Sequence, residues 1–98
     1  MQAKVPRLIY ASSSSVYGDV QELPLRESMA LSPVSPYGVT KLAAEHLVHL
    51  YGKANDLSVT SLRFFTVYGP RQRPDMAFHR FLKAVRDGQP ITLYGDGE

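Results

Sequence analysis

No cysteine occurs in this sequence, so neither a disulfide nor a thiolate-ligated metal can belong to the structure. No apolar stretch approaches the ~20 residues that a helical membrane span requires. The opening Met1-Gln-Ala-Lys-Val-Pro6 lacks the apolar core of a secretory signal. Charge of neither sign accumulates: 11 Lys and Arg stand against 9 Asp and Glu, for a net charge of +2. That balance leaves no footprint for nucleic acid or for an anionic membrane, and neither is expected as a partner. No internal repeat occurs, and no low-complexity tract beyond four consecutive serines. Of the three histidines, only His46 and His49 have a spacing that would suit one metal. No third ligand is near them in sequence, so no metal site is expected. A cytoplasmic address is the expectation that these absences leave.

What is present is ordinary in amount and informative in order. The 98 residues, 44% hydrophobic and 20% charged, suffice for one small domain. A domain of that size buries only ~60–65% of its unfolded surface, so a modest core is expected. Arg7-Leu-Ile-Tyr-Ala11 reads as a buried strand running into Ser12–Ser15. Residues 19–35, with Pro24 and Pro33, read as loop. Ser35-Pro36 is a helix start, with serine at the cap and proline in the first turn. The apolar positions Val39, Leu42, Ala43, Leu47, Leu50 and Tyr51 then recur with helical period, and Gly52 or Asn55 supplies the stop. Leu57–Phe65, rich in β-branched and aromatic residues, reads as a second strand. Gly69–Asp75 is a turn-rich loop, and Ala77–Arg86 a helix with Phe78, Phe81, Leu82 and Val85 on one stripe, ended by Asp87-Gly88. Ile91–Tyr94 reads as a last short strand, before a turn at Gly95-Asp96-Gly97. The order strand-helix-strand-helix-strand implies an α/β chain with parallel strands and crossover helices.

Within that order three features share a chemistry. Tyr37 and Lys41 stand four apart in the first helix, on one face and one turn apart. An ammonium beside a phenol favours the phenolate and lowers the tyrosine pKa from its unperturbed ~10. That makes a usable base near neutral pH. A hydroxyl from the serine run would complete an acid/base site for removing a proton from an alcohol as hydride leaves its carbon. A Tyr-x-x-x-Lys alone arises often by chance; the serine run upstream and the flanking Ser-Pro and Gly give this one its weight.

Tyr10-Ala-Ser-Ser-Ser-Ser-Val-Tyr-Gly-Asp19, Ser35-Pro-Tyr-Gly-Val-Thr-Lys41 and Arg63-Phe-Phe-Thr-Val-Tyr-Gly-Pro70 resemble the extended short-chain dehydrogenases. Among these the chain is similar to the NAD-dependent nucleotide-sugar epimerases and dehydratases. Arg71-Gln-Arg-Pro-Asp-Met-Ala77 with Ile91-Thr-Leu-Tyr-Gly-Asp-Gly97 most resembles the UDP-glucuronate 4-epimerases and the related UDP-glucose 4-epimerases. The likeness covers essentially the whole chain. It implies a partial Rossmann-like, doubly wound parallel sheet: residues 1–98 as one partial domain, the C-terminal half of an NAD-binding domain running into the start of a substrate-binding region. Family members are longer and open with a glycine-rich turn that holds the NAD pyrophosphate. No such turn occurs here, so the chain is expected to be an internal piece with weak or no NAD binding and no activity by itself.

The resemblance also implies roles. Tyr37 would be the base that takes the sugar 4-hydroxyl proton. Lys41 would lower the Tyr37 pKa and hydrogen-bond the nicotinamide ribose. Ser13, counted from Val16-Tyr17-Gly18, would bond the reacting oxygen, with Ser14 as the neighbouring substrate-side hydroxyl. Phe64 would lie on the nicotinamide side and Thr66 on the substrate side. Thr66 stands where UDP-galactose 4-epimerases commonly have asparagine, which leans toward the glucuronate-type branch. Arg71 and Arg73 carry planar guanidinium groups suited to a carboxylate or diphosphate, and Arg73 is assigned to the sugar carboxylate. Tyr94 would lie near the uracil ring. For Phe64 and Tyr94 plain packing is an equal alternative, and for Arg73 a solvated loop charge. Tyr17 reads as structural.

The implied activity is 4-epimerisation of a UDP-sugar, with oxidation at C4, a 4-keto intermediate and re-reduction on the other face. A 4,6-dehydratase typically carries an Asp-Glu pair after the catalytic Ser or Thr, where Ser14-Ser15 stand here. A UDP-glucuronate decarboxylase of the same superfamily stays open. The reading from another class is a non-catalytic, self-associating α/β remnant whose unpaired strand edges favour a homo-oligomer.

Overall fold

The computed structural model describes residues 4–96. The chain divides into two compact units, one running through Phe65 and the other beginning at Thr66. Each is described separately.

The first unit holds β1 (Arg7–Ser13), a 3-10 turn (Ser14–Val16), α1 (Pro36–Ala54) and β2 (Ser58–Phe64). β1 and β2 pair in parallel, from Arg7 opposite Ser58 to Ser13 opposite Phe64. The cap expected for α1 forms: Ser35 keeps an extended backbone, its Oγ accepts from the Gly38 N–H at 3.0 Å, and Pro36 fills the first position. At the other end Asn55 Nδ2 donates to the Tyr51 carbonyl at 2.8 Å. Asp56 then takes φ +52 to turn the chain into β2.

The core of this unit is small and largely polar. Val16 is fully buried and Tyr17 nearly so, and their buried companions are Ser12, Ser13 and Glu45. The apolar period of α1 marks a helix but not its buried side. Val39, Leu47, Leu50 and Tyr51 are all more than half exposed, whereas Gly38, Glu45 and Gly52 are buried. Two glycines permit this inversion. A Cβ on Gly38 would stand 2.6 Å from the Ser15 carbonyl oxygen and 2.9 Å from Pro33 Cβ, and one on Gly52 would stand 2.4 Å from Val59 Cγ2. The helix thus lies directly against the serine turn at one end and against β2 at the other.

The second unit holds α2 (Ala77–Arg86). Its first residue outside, Met76, offers no side-chain cap. Gln72 substitutes: its Oε1 accepts from the His79 N–H at 3.1 Å, while its Nε2 donates to the Val67 carbonyl at 3.1 Å. The Tyr68 and Phe78 rings meet with centroids 5.1 Å apart. The strand expected at Ile91–Tyr94 does not form. Among the described residues this segment has no ladder partner, and an apolar run becomes a strand only when another strand pairs with it. The element order is therefore strand-helix-strand-helix. A turn does occupy Gly95-Asp96, while Gly97 lies outside the described residues.

Gly38→Ala tests the close approach of α1. Helix propensity alone favours alanine by up to ~1 kcal/mol. The contact with a backbone carbonyl cannot be relieved by a rotamer change, and overpacking of this type costs about 1–3 kcal/mol. Urea unfolding is expected to show net destabilisation; a stabilised Gly38→Ala protein would contradict the packing.

Candidate active site

β1 and β2 end together, so the carboxyl ends of both parallel strands carry candidate residues: Ser13 and Phe64 are ladder partners. In open α/β sheets ligands bind outside that edge. Ser13 is buried and its Oγ organises the following turn, accepting from the Ser15 N–H at 3.2 Å and lying 3.2 Å from Ser15 Oγ. Ser14 is half-buried at the start of the 3-10 turn. Phe64 remains about half exposed.

Gly38 brings the first turn of α1 onto this serine turn, and Tyr37 and Lys41 come with it. Tyr37 is 55% exposed, which leaves the phenol open to a ligand. Lys41 reaches across to β1, where its Nζ donates to the Ala11 carbonyl at 2.9 Å. There the ammonium stands 5.8 Å from the centroid of the Tyr37 ring and 5.5 Å from that of Tyr10. The two side chains that the sequence pairs are therefore on one face, close together, and not sunk into apolar surroundings.

The remaining candidates belong to the second unit. Thr66 is exposed. Arg73 already uses its fork: Nε and Nη2 donate to the two oxygens of Asp75 at 2.9 and 2.8 Å. This bond holds the Asp75 carboxyl below its ordinary range. Arg71 is exposed with φ +69. Tyr94 is 80% exposed, with the Arg80 guanidinium 5.9 Å from its ring centroid. Among the described residues no group of three or more His, Cys, Asp or Glu is placed to hold a metal ion.

Sequence reasoning missed the strongest interaction of the first unit. Glu45, one turn beyond Lys41, is buried beneath α1. Its Oε1 accepts from Arg63 Nη2 at 2.7 Å; its Oε2 accepts from Ser12 Oγ at 2.6 Å and from Arg63 Nε at 3.3 Å. Arg63 Nη1 donates to Tyr17 Oη and to the Glu27 carbonyl, both at 3.0 Å. The hydrogen bonds from Arg63 hold the Glu45 carboxyl below the usual carboxylate range; burial opposes this and the Ser12 bond assists it. The same pairing raises Arg63 further. Tyr10 was also missed. Its phenol donates to the Lys41 carbonyl at 3.4 Å. The available signal was strand alternation, which puts Tyr10 and Ser12 on the side of β1 that meets the helix.

Comparison with known proteins adds a family to this geometry. The NAD dependent epimerase/dehydratase family matches residues 1–98. An uncharacterized UDP-glucose epimerase of Bacillus subtilis is 52% identical over 94 residues, covering 96% of this chain and 29% of that protein. UDP-glucuronate 4-epimerase 1 of Arabidopsis thaliana is 48% identical over 90 residues, covering 91% and 21%. The crystal structure of UDP-glucuronic acid 4-epimerase from Bacillus cereus, in complex with UDP-glucuronic acid and NAD, superimposes with a TM-score of 0.84 at 50% identity, covering 97% of this chain and 30% of that one. The chain thus spans less than a third of each of these proteins.

The Glu45–Arg63 pair makes acid stability a readable quantity. The folded-state pKa of Glu45 lies below its ordinary 4.5. Its contribution is then complete above pH 4.5 and is lost as pH falls through the depressed value. Glu45→Gln is expected to destabilise by about 1–3 kcal/mol at neutral pH, because the partly buried Arg63 loses its counter-charge. In urea unfolding that gap should narrow as pH drops below 4.5. A gap unchanged between pH 7 and pH 3 would mean that the carboxylate carries no net charge interaction.

Proposed function

The chain belongs to the NAD-dependent epimerase/dehydratase family, and from that membership we propose that it is the catalytic segment of a longer NAD-dependent UDP-sugar 4-epimerase of the glucuronate type. The observation that carries this reading is the Lys41 ammonium seated beside an exposed Tyr37 phenol at the mouth of two parallel strands.

In this reading Tyr37 takes the proton from the sugar 4-hydroxyl as hydride leaves C4, and returns it to the same oxygen when hydride comes back to the opposite face of the turned 4-keto sugar. Lys41 supports the phenolate and, with two N–H groups beyond the one given to Ala11, can bond the nicotinamide ribose. Ser13 bonds the reacting oxygen by exchanging its contact with Ser15, and Ser14 faces the sugar. Phe64, half exposed opposite Ser13, suits the nicotinamide side. NAD, when bound, supplies the hydride acceptor and donor. Thr66 and Tyr94 serve the nucleotide-sugar side. Arg73 holds the sugar carboxylate by giving up Asp75, an exchange made easy because both partners are solvent-exposed and such pairs are weak.

Ser14 and Ser15 occupy the place where a dehydratase has its acid pair, which favours epimerisation. The reading extends to a cytoplasmic enzyme. Taken by itself the segment has, among the described residues, one edge of each strand without a ladder partner, and such edges favour self-association of the isolated segment.

The segment can be assayed as a whole enzyme by exchanging it for its counterpart in the Bacillus cereus epimerase. That hybrid is expected to interconvert UDP-glucuronate and UDP-galacturonate, followed by NMR of the sugar anomeric protons. Tyr37→Phe should lower kcat by roughly 10²–10⁴-fold while UDP-sugar affinity holds within a few-fold. A Tyr37→Phe hybrid with near-normal turnover would remove Tyr37 from the role of base. Arg73→Ala should weaken UDP-glucuronate binding by roughly tenfold or more and leave UDP-glucose binding little changed. Equal losses for both sugars would take the carboxylate away from Arg73.

A further inference from the structure

Glu45 stands four residues beyond Lys41 on α1, the spacing at which a lysine and a glutamate ordinarily pair, with Cβ atoms about 5–6 Å apart. They do not pair. Both carboxylate oxygens are taken by Arg63, and one of them also by Ser12. Among the described residues Lys41 forms no ion pair; its charge is directed at the Tyr37 and Tyr10 rings and at the Ala11 carbonyl. The titratable and charged groups gathered here are Tyr37, Glu45 and His49 from α1, Tyr10 from β1, Arg63 from β2, and Tyr17 from the turn. His49 is tied to Ser61 Oγ at 2.9 Å. Glu45 is the one carboxylate of that set, so it alone could neutralise Lys41.

We propose that the Arg63–Glu45 pair is a positioning device: Arg63 withholds the Glu45 carboxylate from Lys41 and leaves the ammonium to Tyr37, while Glu45 anchors Ser12 beside Ser13. The proposal rests on the reading of Tyr37 as base. A planar guanidinium suits the task because it occupies both carboxylate oxygens at once, which the point charge of a lysine cannot do. Arg63 is itself held, with Nη1 donating to Tyr17 Oη and the Glu27 carbonyl. Its fork is therefore fixed in direction before any substrate arrives. Ser12 links the pair to the catalytic strand: its neighbours are Ser13 and Ala11, the latter being the acceptor of Lys41.

The test is the pH dependence of kcat in the hybrid enzyme. Arg63→Lys loosens the fork and lets Glu45 turn to Lys41. The acid limb of kcat is expected to move up by about one pH unit, as the base loses its neighbouring cation. At pH 7, kcat should fall roughly tenfold to a hundredfold with KM for the UDP-sugar within twofold, because alignment and not sugar binding is lost. Arg63→Gln is the substitute where Arg63→Lys does not fold. The double substitution Arg63→Met with Glu45→Met removes both charges, which buried pairs tolerate better than the loss of one. It should return the acid limb to the wild-type position, since no carboxylate remains to claim Lys41. A merely structural pair predicts losses of stability and of kcat with the acid limb of every variant left at the wild-type position. An unmoved acid limb in the single variants, or an unrestored one in the double, overturns the proposal while a dead Tyr37→Phe enzyme leaves the epimerase reading standing. An inactive wild-type hybrid overturns both.

Discussion

One largely buried ion pair ties the elements of the first unit to one another. The Arg63 fork on Glu45 joins β2 to α1, and through Ser12, Tyr17 and the Glu27 carbonyl it reaches β1, the turn and the loop before α1. Among the described residues of this unit Val16 is the fully buried apolar side chain, and burying one such side chain contributes about 1.5–3 kcal/mol. Removing one partner of the Arg63–Glu45 pair leaves the other charge uncompensated in a largely buried place, a loss of comparable size. A well-packed apolar replacement could match the pair in stability. What apolar residues could not supply is direction: a fork fixes the orientation of helix, strand and turn together.

The helix face that receives this pair follows from that constraint. Gly38, Lys41, Glu45 and Gly52 fall within about 60° of one another at 3.6 residues per turn. Glycines at the two ends let the backbone approach Ser15 and Val59, and between them the charged side chains find partners instead of solvent. Val39, Leu47, Leu50 and Tyr51 stand more than half exposed on the other side, while Leu42 and Val48 are half-buried.

Local signals in the sequence were therefore reliable and directional ones were not. Ser35-Pro36 announced the start of α1, and the cap forms as its chemistry requires. Tyr37 and Lys41 were legible because their relation is local, one helical turn. Glu45 and Arg63 were not: charged residues in an amphipathic pattern read as solvated, and their pairing joins positions eighteen apart through the fold. The period of Val39, Leu47 and Leu50 pointed away from the sheet for the same reason, because periodicity reports that a helix is two-sided and not which side is covered. Ile91–Tyr94 has the composition of a strand, but composition supplies no partner. For Arg73 the sequence offered a planar fork suited to a sugar carboxylate; that Asp75, two residues on, would occupy that fork was not legible.

The loop between the serine turn and α1 completes the argument. Its ends are the residues whose relation matters most, since Ser13 precedes it and Tyr37 follows it. A free loop of that length would leave their separation to chance, but this one is pinned at three points. At its start Gly18 takes φ +69 and lies so near the Ser32 carbonyl that a Cβ would stand 1.8 Å from the oxygen. In its middle the Glu27 carbonyl accepts from Arg63. Near its end Pro33 lies against Gly38. Ser35 then caps α1 and fixes where the helix begins. Ordering this segment costs conformational entropy at every residue, and each pin offsets part of that cost with a contact that also bears on the site. The middle pin and the tether on Ser12 belong to one cluster, so the fork that orients Glu45 also limits the path from Ser13 to Tyr37. The spacing of Ser13 and Tyr37 and the local stability of this unit thus draw on the same side chains.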